Sequence, residues 1–403
     1  MSDSFTHVSH QSWGSRLGNS IKGILFGLFL FIVAFPLLFW NEGRAIETEK
    51  SLKEGAAAVV KVSSERIDPA NEGKLVYISG LANTKEELHD RLFNVTTQAI
   101  RLSRNVSIYQ WKEHSESKTE KELGGSTKTT TTYTYSKEWS PILSSSSSFK
   151  HPEGHQNPSM KRYKDQTIYA KNVSLGQFKL SSAQIQDISG GQSIALSKKN
   201  IPKNVQASIV SGEIYIGDPN QESIGDLRIS FYETKPSTIS LVAAQVGNSF
   251  AAYQTEAGKP IQLLTMGVVT AKEMFANELA NNRLLTWGLR FLGFIIMMMG
   301  LSMIMKPLIV FADVVPFIGN LLGIGTSLIS AVIAFVFSLL TIAFAWVFYR
   351  PFVALGLVAL IVGPLVYLKR KAKTNTSNTQ EAPQNKPVNV PSSSAPPPPP
   401  PTI

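Results

Sequence analysis

The chain has 403 residues, 39 Lys and Arg against 29 Asp and Glu, a formal net charge of +10, and no cysteine. Without cysteine, disulfides, thiol nucleophiles and cysteine zinc sites are excluded together, and the basic residues form no long stripe interleaved with aromatics, so nucleic acid is not an expected partner. The apolar content of 43% is ordinary on average, but it sits in blocks near the two ends while the middle is polar.

Residues 1–22 read as a cytoplasmic N-terminus leading into a first transmembrane helix over 23–40. That run holds no ionisable residue and just reaches the length of about 20 residues that crosses hydrocarbon as helix. AFPLLFWNEGRA at 34–45 then drops from apolar to charged. Trp40 suits the headgroup level, where an indole is half buried with its N–H wet, which leaves Glu42 and Arg44 in interfacial water. A cleaved signal peptide is the competing reading, but the run is too long and Pro-Leu-Leu-Phe-Trp too bulky for a peptidase site.

Residues 41–283 read as a β-rich α+β domain. Strands rich in β-branched and aromatic residues are expected within 100–111, 131–139, 165–173, 211–218, 225–234 and 237–246. Helices are expected over 84–93, with Thr84 as N-cap and acidic residues in the first turn, and over 181–188. SLKEGAAAVV at 51–60 fits helix or strand equally, and the stretches 115–129 and 144–149 have the composition of mobile loops. Asn94, Asn105 and Asn172 each begin an Asn-x-Ser/Thr triplet.

Three further apolar blocks follow. Residues 284–305 read as the second span, interrupted only by Arg290, which lies about two turns inside and is expected to snorkel to the near headgroups. Lys306 and Asp313 belong to an inner loop. Residues 314–327 carry Pro316, Gly319, Gly323 and Gly325, so an interfacial or re-entrant segment is expected there, before a third span over 328–348. Arg350 stands in a short loop before a fourth span over 352–368. Lys369, Arg370, Lys371 and Lys373 follow it and place the C-terminus in the cytoplasm. The tail, 369–403, ends in six prolines before Thr402 and reads as disordered. The expected fold class is therefore α+β, with four transmembrane helices, one N-terminal and three C-terminal, and a β-rich extracytoplasmic domain between the first and second.

No catalytic, cofactor or metal residue emerges. His151 and His155 have helical metal-ligand spacing, but Pro152 and Gly154 between them argue for a loop, and GNLLGIGTS at 319–327 lacks the lysine of a phosphate loop. The chain reads as a non-enzyme, and its candidate interface or intramembrane residues are Trp40, Glu42, Arg44, Arg290, Lys306 and Arg350.

NEGRA at 41–45, DPANEGKLVYISG at 68–80, AIRLSRNVSIYQWKE at 99–113, YSKEW at 135–139, GHQNPSM at 154–160, AKNVSLGQFKLS at 170–181, NRLLTWGLRFLGF at 282–294 and FYRP at 348–351 resemble the transmembrane protein 43 (LUMA) family. The resemblance implies a four-span protein with a large lumenal domain. It also implies a scaffold of the endoplasmic reticulum and inner nuclear membrane whose partners are lamins and emerin in animals. In a bacterial member, toward which the cysteine-free composition and proline tail lean, the location would be the inner membrane with a periplasmic domain. The expected partners are then the lipid bilayer, envelope proteins and further copies of the chain, and no cofactor is implied. The alternative expectation is a channel or lipid-handling protein formed by the C-terminal helices.

Overall fold

The computed structural model describes residues 3–203 and 205–350, so the fourth expected span and the tail lie outside the described residues. Four helices are α1 (Trp13–Ala58), α2 (Ser182–Asp187), α3 (Ala271–Ala312) and α4 (Pro316–Tyr349). Three of them, α1, α3 and α4, are long and apolar enough to cross a membrane. The chain divides into two compact units at Ala345 and Trp346; within the second, the described residues are the last turn of α4 and Arg350.

The predicted spans 23–40 and 284–305 lie inside α1 and α3, which both overrun them. α1 starts where the Ser12 hydroxyl caps the Ser15 amide, and it continues through SLKEGAAA to Val59, whose extended backbone ends it. α3 starts in a capping box, Thr270 and Glu273 each bonding the other's backbone N–H. The expectation of a re-entrant segment over 314–327 is corrected: α4 is one unbroken helix. Pro316 occupies its first position, where a missing N–H is harmless, and the glycines that follow are tolerated inside an apolar helix.

α1 and α3 run antiparallel along their whole lengths, because small residues let the backbones close up. A Cβ on Gly27 would lie 2.7 Å from the Gly300 carbonyl, and one on Gly300 would lie 2.6 Å from the Gly27 carbonyl and 2.7 Å from the Phe31 nitrogen. Further up, Leu38 occupies the space over Gly293. α4 joins through side chains: Phe337 meets Phe31 and Phe35 edge-on at 5.7 and 6.0 Å, and Ala334 packs with Ala34, Leu38 and Met297. The outer faces keep Leu25, Phe29, Phe291, Leu328 and Phe344 more than half exposed, a surface suited to lipid.

Two large sheets and one two-stranded hairpin form the domain. In the first, the order is Asp3–Gln11, Thr127–Ser140, Arg101–Lys121, Leu227–Thr234, Glu213–Ile216 and Ala207–Val210. In the second, it is Phe178–Lys179, Ser174–Leu175, Leu75–Asn83, Ser237–Val246 and Ser249–Ala251. The main core lies between them, with Leu102, Val106, Ile229 and Phe231 of the first sheet and Ile78, Ile239 and Leu241 of the second. Strand Ser237–Val246 is buried on both faces, since Val242 points the other way, into a second core of Leu52, Tyr77, Ile261, Met274 and Phe275. That second core docks the sheet onto the domain ends of α1 and α3.

The expected strands near 100–111, 131–139, 165–173, 211–218, 225–234 and 237–246 are present, as is the helix at 181–188. Three expectations are corrected. Residues 84–93 are not helical: the Thr84 hydroxyl accepts the Glu86 amide in a local turn, and Glu87–Asp90 pairs with Val95–Gln98 as a hairpin. The stretch 115–129 is not a loop, because Arg101–Lys121 and Thr127–Ser140 pair continuously to the turn. Residues 1–22 do not stand apart from the middle domain, since Asp3–Gln11 pairs with Thr127–Ser140, Asp3 opposite Tyr135 and Gln11 opposite Thr127.

The helix contact yields a direct test. Gly300→Leu has no room against α1 and should destabilise the detergent-solubilised chain by about 1–3 kcal/mol, read as a lowered thermal midpoint. Gly288→Leu, at a position with nothing within 4 Å of its would-be Cβ, should leave the midpoint unchanged.

Candidate functional site

Where α1 and α3 leave their apolar stretches, a belt of polar residues closes the gap between them. Asn41, Glu42, Arg44 and Ala45 come from α1; Asn282, Thr286 and Arg290, spaced by four, form one stripe on α3. Glu42 is 2% exposed, and both its oxygens are taken by Arg290: Nε donates to Oε1 at 2.6 Å and Nη2 to Oε2 at 2.8 Å. This two-pronged geometry is the strongest that a carboxylate and a guanidinium can adopt. Side chains on a helix lean toward its N-terminus, so Arg290 leans up α3 toward the domain while Glu42 leans down α1, and they meet. The predicted snorkelling thus has the right direction and the wrong end point: Arg290 stops on a buried carboxylate rather than at headgroups. Its guanidinium also lies 4.7 Å from the Trp287 ring centre.

Arg44 completes the belt. Its Nη1 donates to Asn282 Oδ1 at 2.9 Å, and its Nη2 donates to Thr286 Oγ1 at 3.0 Å and Asn41 Oδ1 at 3.2 Å. Asn41 Nδ2 donates to the Thr286 carbonyl and Asn282 Nδ2 to the Ala45 carbonyl, so each helix satisfies the other's side chains. Trp40 and Trp287 flank the belt, 55% and 66% exposed, as an aromatic girdle would. Of the other predicted residues, Lys306 is exposed on α3. Arg350 lies in the second unit, where its N–H donates to the Trp346 carbonyl. Lys306 stands apart from the belt. Asn41, Asn282 and Thr286 were missed; their spacing opposite NEGRA was the available signal.

A second constellation sits at the opposite ends of the same helices. Asp313, expected in a plain inner loop, is fully buried and takes ion pairs from Arg16 of α1 and from Lys121 at the hairpin tip, the latter at 2.7 Å. The Gly124 amide donates to the Val314 carbonyl, Arg16 Nη1 donates to the Gly125 carbonyl, and Trp13 Nε1 donates to the Val310 carbonyl at 2.8 Å. Three segments distant in sequence therefore converge on one carboxylate. Gly319 is required beside it, because a Cβ there would overlap Asp313.

The histidine pair does not form a metal centre. The two rings are 6.2 Å apart, and His155 is buried, stacked on Tyr135 at 3.9 Å with Nε2 2.6 Å from Asp3 Oδ2, so it pins the N-terminal strand. Burial and the bond to Glu113 push the Tyr135 phenol up to about 12. No group of three or more potential metal-ligating carboxylates and imidazoles occurs among the described residues. A cavity of about 460 Å³ lies beside Thr84, Glu86, Asn172 and Lys179. At its wall Glu86 accepts the Lys171 and Asn172 amides, each at 2.8 Å, and the Asn172 side chain at 2.5 Å. The Lys171 amide first, and Asn172 with it, hold this carboxyl below the usual glutamate range. Asn172 is thereby a structural amide within its triplet.

The family profile described as Transmembrane protein 43 matches residues 108–351. The chain is 34% identical to human Transmembrane protein 43 over 370 residues, covering 88% of this chain and 92% of the human protein. It is 33% identical to the mouse protein over 370 residues, with the same coverage, and 29% identical to the Drosophila melanogaster homolog over 367 residues, covering 86% and 94%. No solved structure matches the chain.

Two tests follow from this geometry. Arg290→Ala strips the buried Glu42 carboxylate of its two-pronged partner and should destabilise the detergent-solubilised protein by about 3–5 kcal/mol. The double variant Glu42→Gln/Arg290→Met should recover most of that, as measured by thermal unfolding. The depressed Glu86 carboxyl contributes stability that is present above the ordinary glutamate range and lost as pH falls through its lowered value. Glu86→Gln should therefore melt below the native chain at neutral pH, the gap closing as the solution is acidified below the ordinary glutamate range.

Proposed function

Because the chain belongs to the transmembrane protein 43 family, we propose that it is a multi-pass membrane scaffold whose β-rich domain binds proteins or other envelope components. The observation that carries this reading is the continuity of α1 and α3. Each runs without a break from its apolar stretch into the second core, where Leu52 of α1 and Met274 and Phe275 of α3 pack under Tyr77 and Val242. A domain tethered by flexible linkers can sample many orientations, whereas one docked on two rigid, crosslinked helices presents a fixed surface at a fixed height. Such a platform suits assembly of neighbours and gives no reason to expect catalysis.

The partners follow the host. In a eukaryote the expected location is the endoplasmic reticulum and inner nuclear membrane, with lamins and emerin as partners. In a bacterium it is the inner membrane, with envelope proteins facing a periplasmic domain. Affinity isolation of the tagged full chain from gently solubilised membranes, after crosslinking in place, tests the reading. A stable set of membrane or envelope proteins is expected, and Gly300→Leu should lose it. Recovery of the chain without any reproducible partner, or flux of solute or lipid through vesicles holding the purified protein alone, would count against a scaffold.

A further inference from the structure

Beyond Tyr109 the long hairpin extends past the domain's sheets, with the segment 149–157 packed on its base at Trp111, Glu113 and Tyr135. Its arms pair only with each other and, over Asp3–Gln11, with the N-terminal strand, forming a three-stranded ribbon. Residues 114–120 are all exposed, and so are residues 3–10. One face carries His114, Glu116, Lys118 and Glu120; the other carries hydroxyl pairs, Ser117 with Thr131 and Thr119 with Thr129, each at 2.9 Å. Neither face is apolar, and both long edges of the ribbon are open.

The ribbon's tip is fastened to the far ends of the helices by Asp313, Arg16, Lys121 and the Gly124 to Val314 bond. From Tyr109 to Lys121 an extended strand covers about 41 Å at roughly 3.4 Å per residue. From Arg16 to Glu42 a helix covers about 39 Å at roughly 1.5 Å per residue. The ribbon therefore runs beside the helices at the same depth as their lipid-facing surfaces. A polar ribbon with open edges has no stable place in hydrocarbon, where every unpaired N–H and C=O and every unpaired charge is penalised. Irregular or open backbone at that depth persists only inside protein or against water.

We propose that the ribbon stands in a water-filled space at bilayer depth, walled off from lipid by the helices of several copies of this chain. One chain is too small to build the wall, and although each added copy brings its own ribbon, the enclosed area grows as the square of the helix number. Even a single ribbon about 10 Å wide with a layer of water takes about nine helices, each about 10 Å across. The described residues supply three, and the block at 352–368 has the length of one more. The hydroxyl face of the ribbon lines this space, and the Asp313 cluster closes its far end. The inference is independent of which proteins the domain binds.

The native chain has no cysteine, so single thiols can be placed without background. In lipid vesicles, Thr131→Cys and Lys118→Cys should react with a membrane-impermeant sulfonated maleimide as fast as Met160→Cys on the domain surface. Leu328→Cys, facing lipid, should stay unlabelled. Leu123→Cys/Val315→Cys, which brackets the tip contact without removing it, should be joined by a short bis-maleimide, and the protein in lipid nanodiscs should have the mass of several copies. Labelled ribbon thiols without the tip crosslink would mean that the ribbon peels away, and crosslinking without labelling would mean that it is packed dry. Crosslinking and labelling at the mass of a single copy would remove the shared wall. Each of these results overturns the proposal, and none bears on whether the domain recruits partners.

Discussion

A carboxylate and a guanidinium held between two apolar helices govern the architecture. Glu42 and Arg290 have little water to turn to, and their two-pronged bond tolerates no slippage along the helix axes. That register sets Gly27 against Gly300 and Leu38 over Gly293 on one side of the pair. On the other side it brings Leu52 level with Met274 and Phe275. A shift of one turn would put side chains where the backbones now touch.

From that registered pair the order passes outward through packing. Strand Ser237–Val246 is covered on both faces, Val242 against the helix ends and Ile239 and Leu241 against the first sheet, so it couples the membrane helices to the main core. Within that core Arg104 and Asp90 make a further enclosed ion pair at 2.5 Å. Arg104 also donates to the Lys164 carbonyl and Gln166, so its charge is fully spent on fixed partners. The first sheet then extends as the ribbon and returns to the helices at Asp313. The domain is tied to α1 and α3 at both of their ends, by an apolar core at one and by a buried carboxylate at the other.

How much was legible depended on whether a residue's environment leaves a periodic trace. STISLVAAQV was readable as a strand because burial on both faces demands a near-continuous run of β-branched and apolar residues. The opposite holds for 115–129: a ribbon wet on both faces imposes no alternation, so Ser, Lys, Thr and Glu there look like a loop although every residue up to Lys121 is paired. At 84–93 the residue types of a capped helix were present, but Thr84 used its hydroxyl on the near turn and Leu88 was drawn into the core as part of a hairpin. Arg290 was legible as a buried charge leaning toward the domain, while its partner stood 248 positions away on another helix.

The sequence by itself determined the membrane class, the polar middle domain and most of its strands. These follow from local composition and from lengths that a bilayer dictates. Only the tertiary structure decided that Glu42 meets Arg290, that Asp313 gathers Arg16 and Lys121, that 314–327 is plain helix and that the N-terminal strand joins the hairpin. Each of those depends on which distant surfaces meet, and a pairing energy between remote residues leaves no mark on either stretch of chain taken alone.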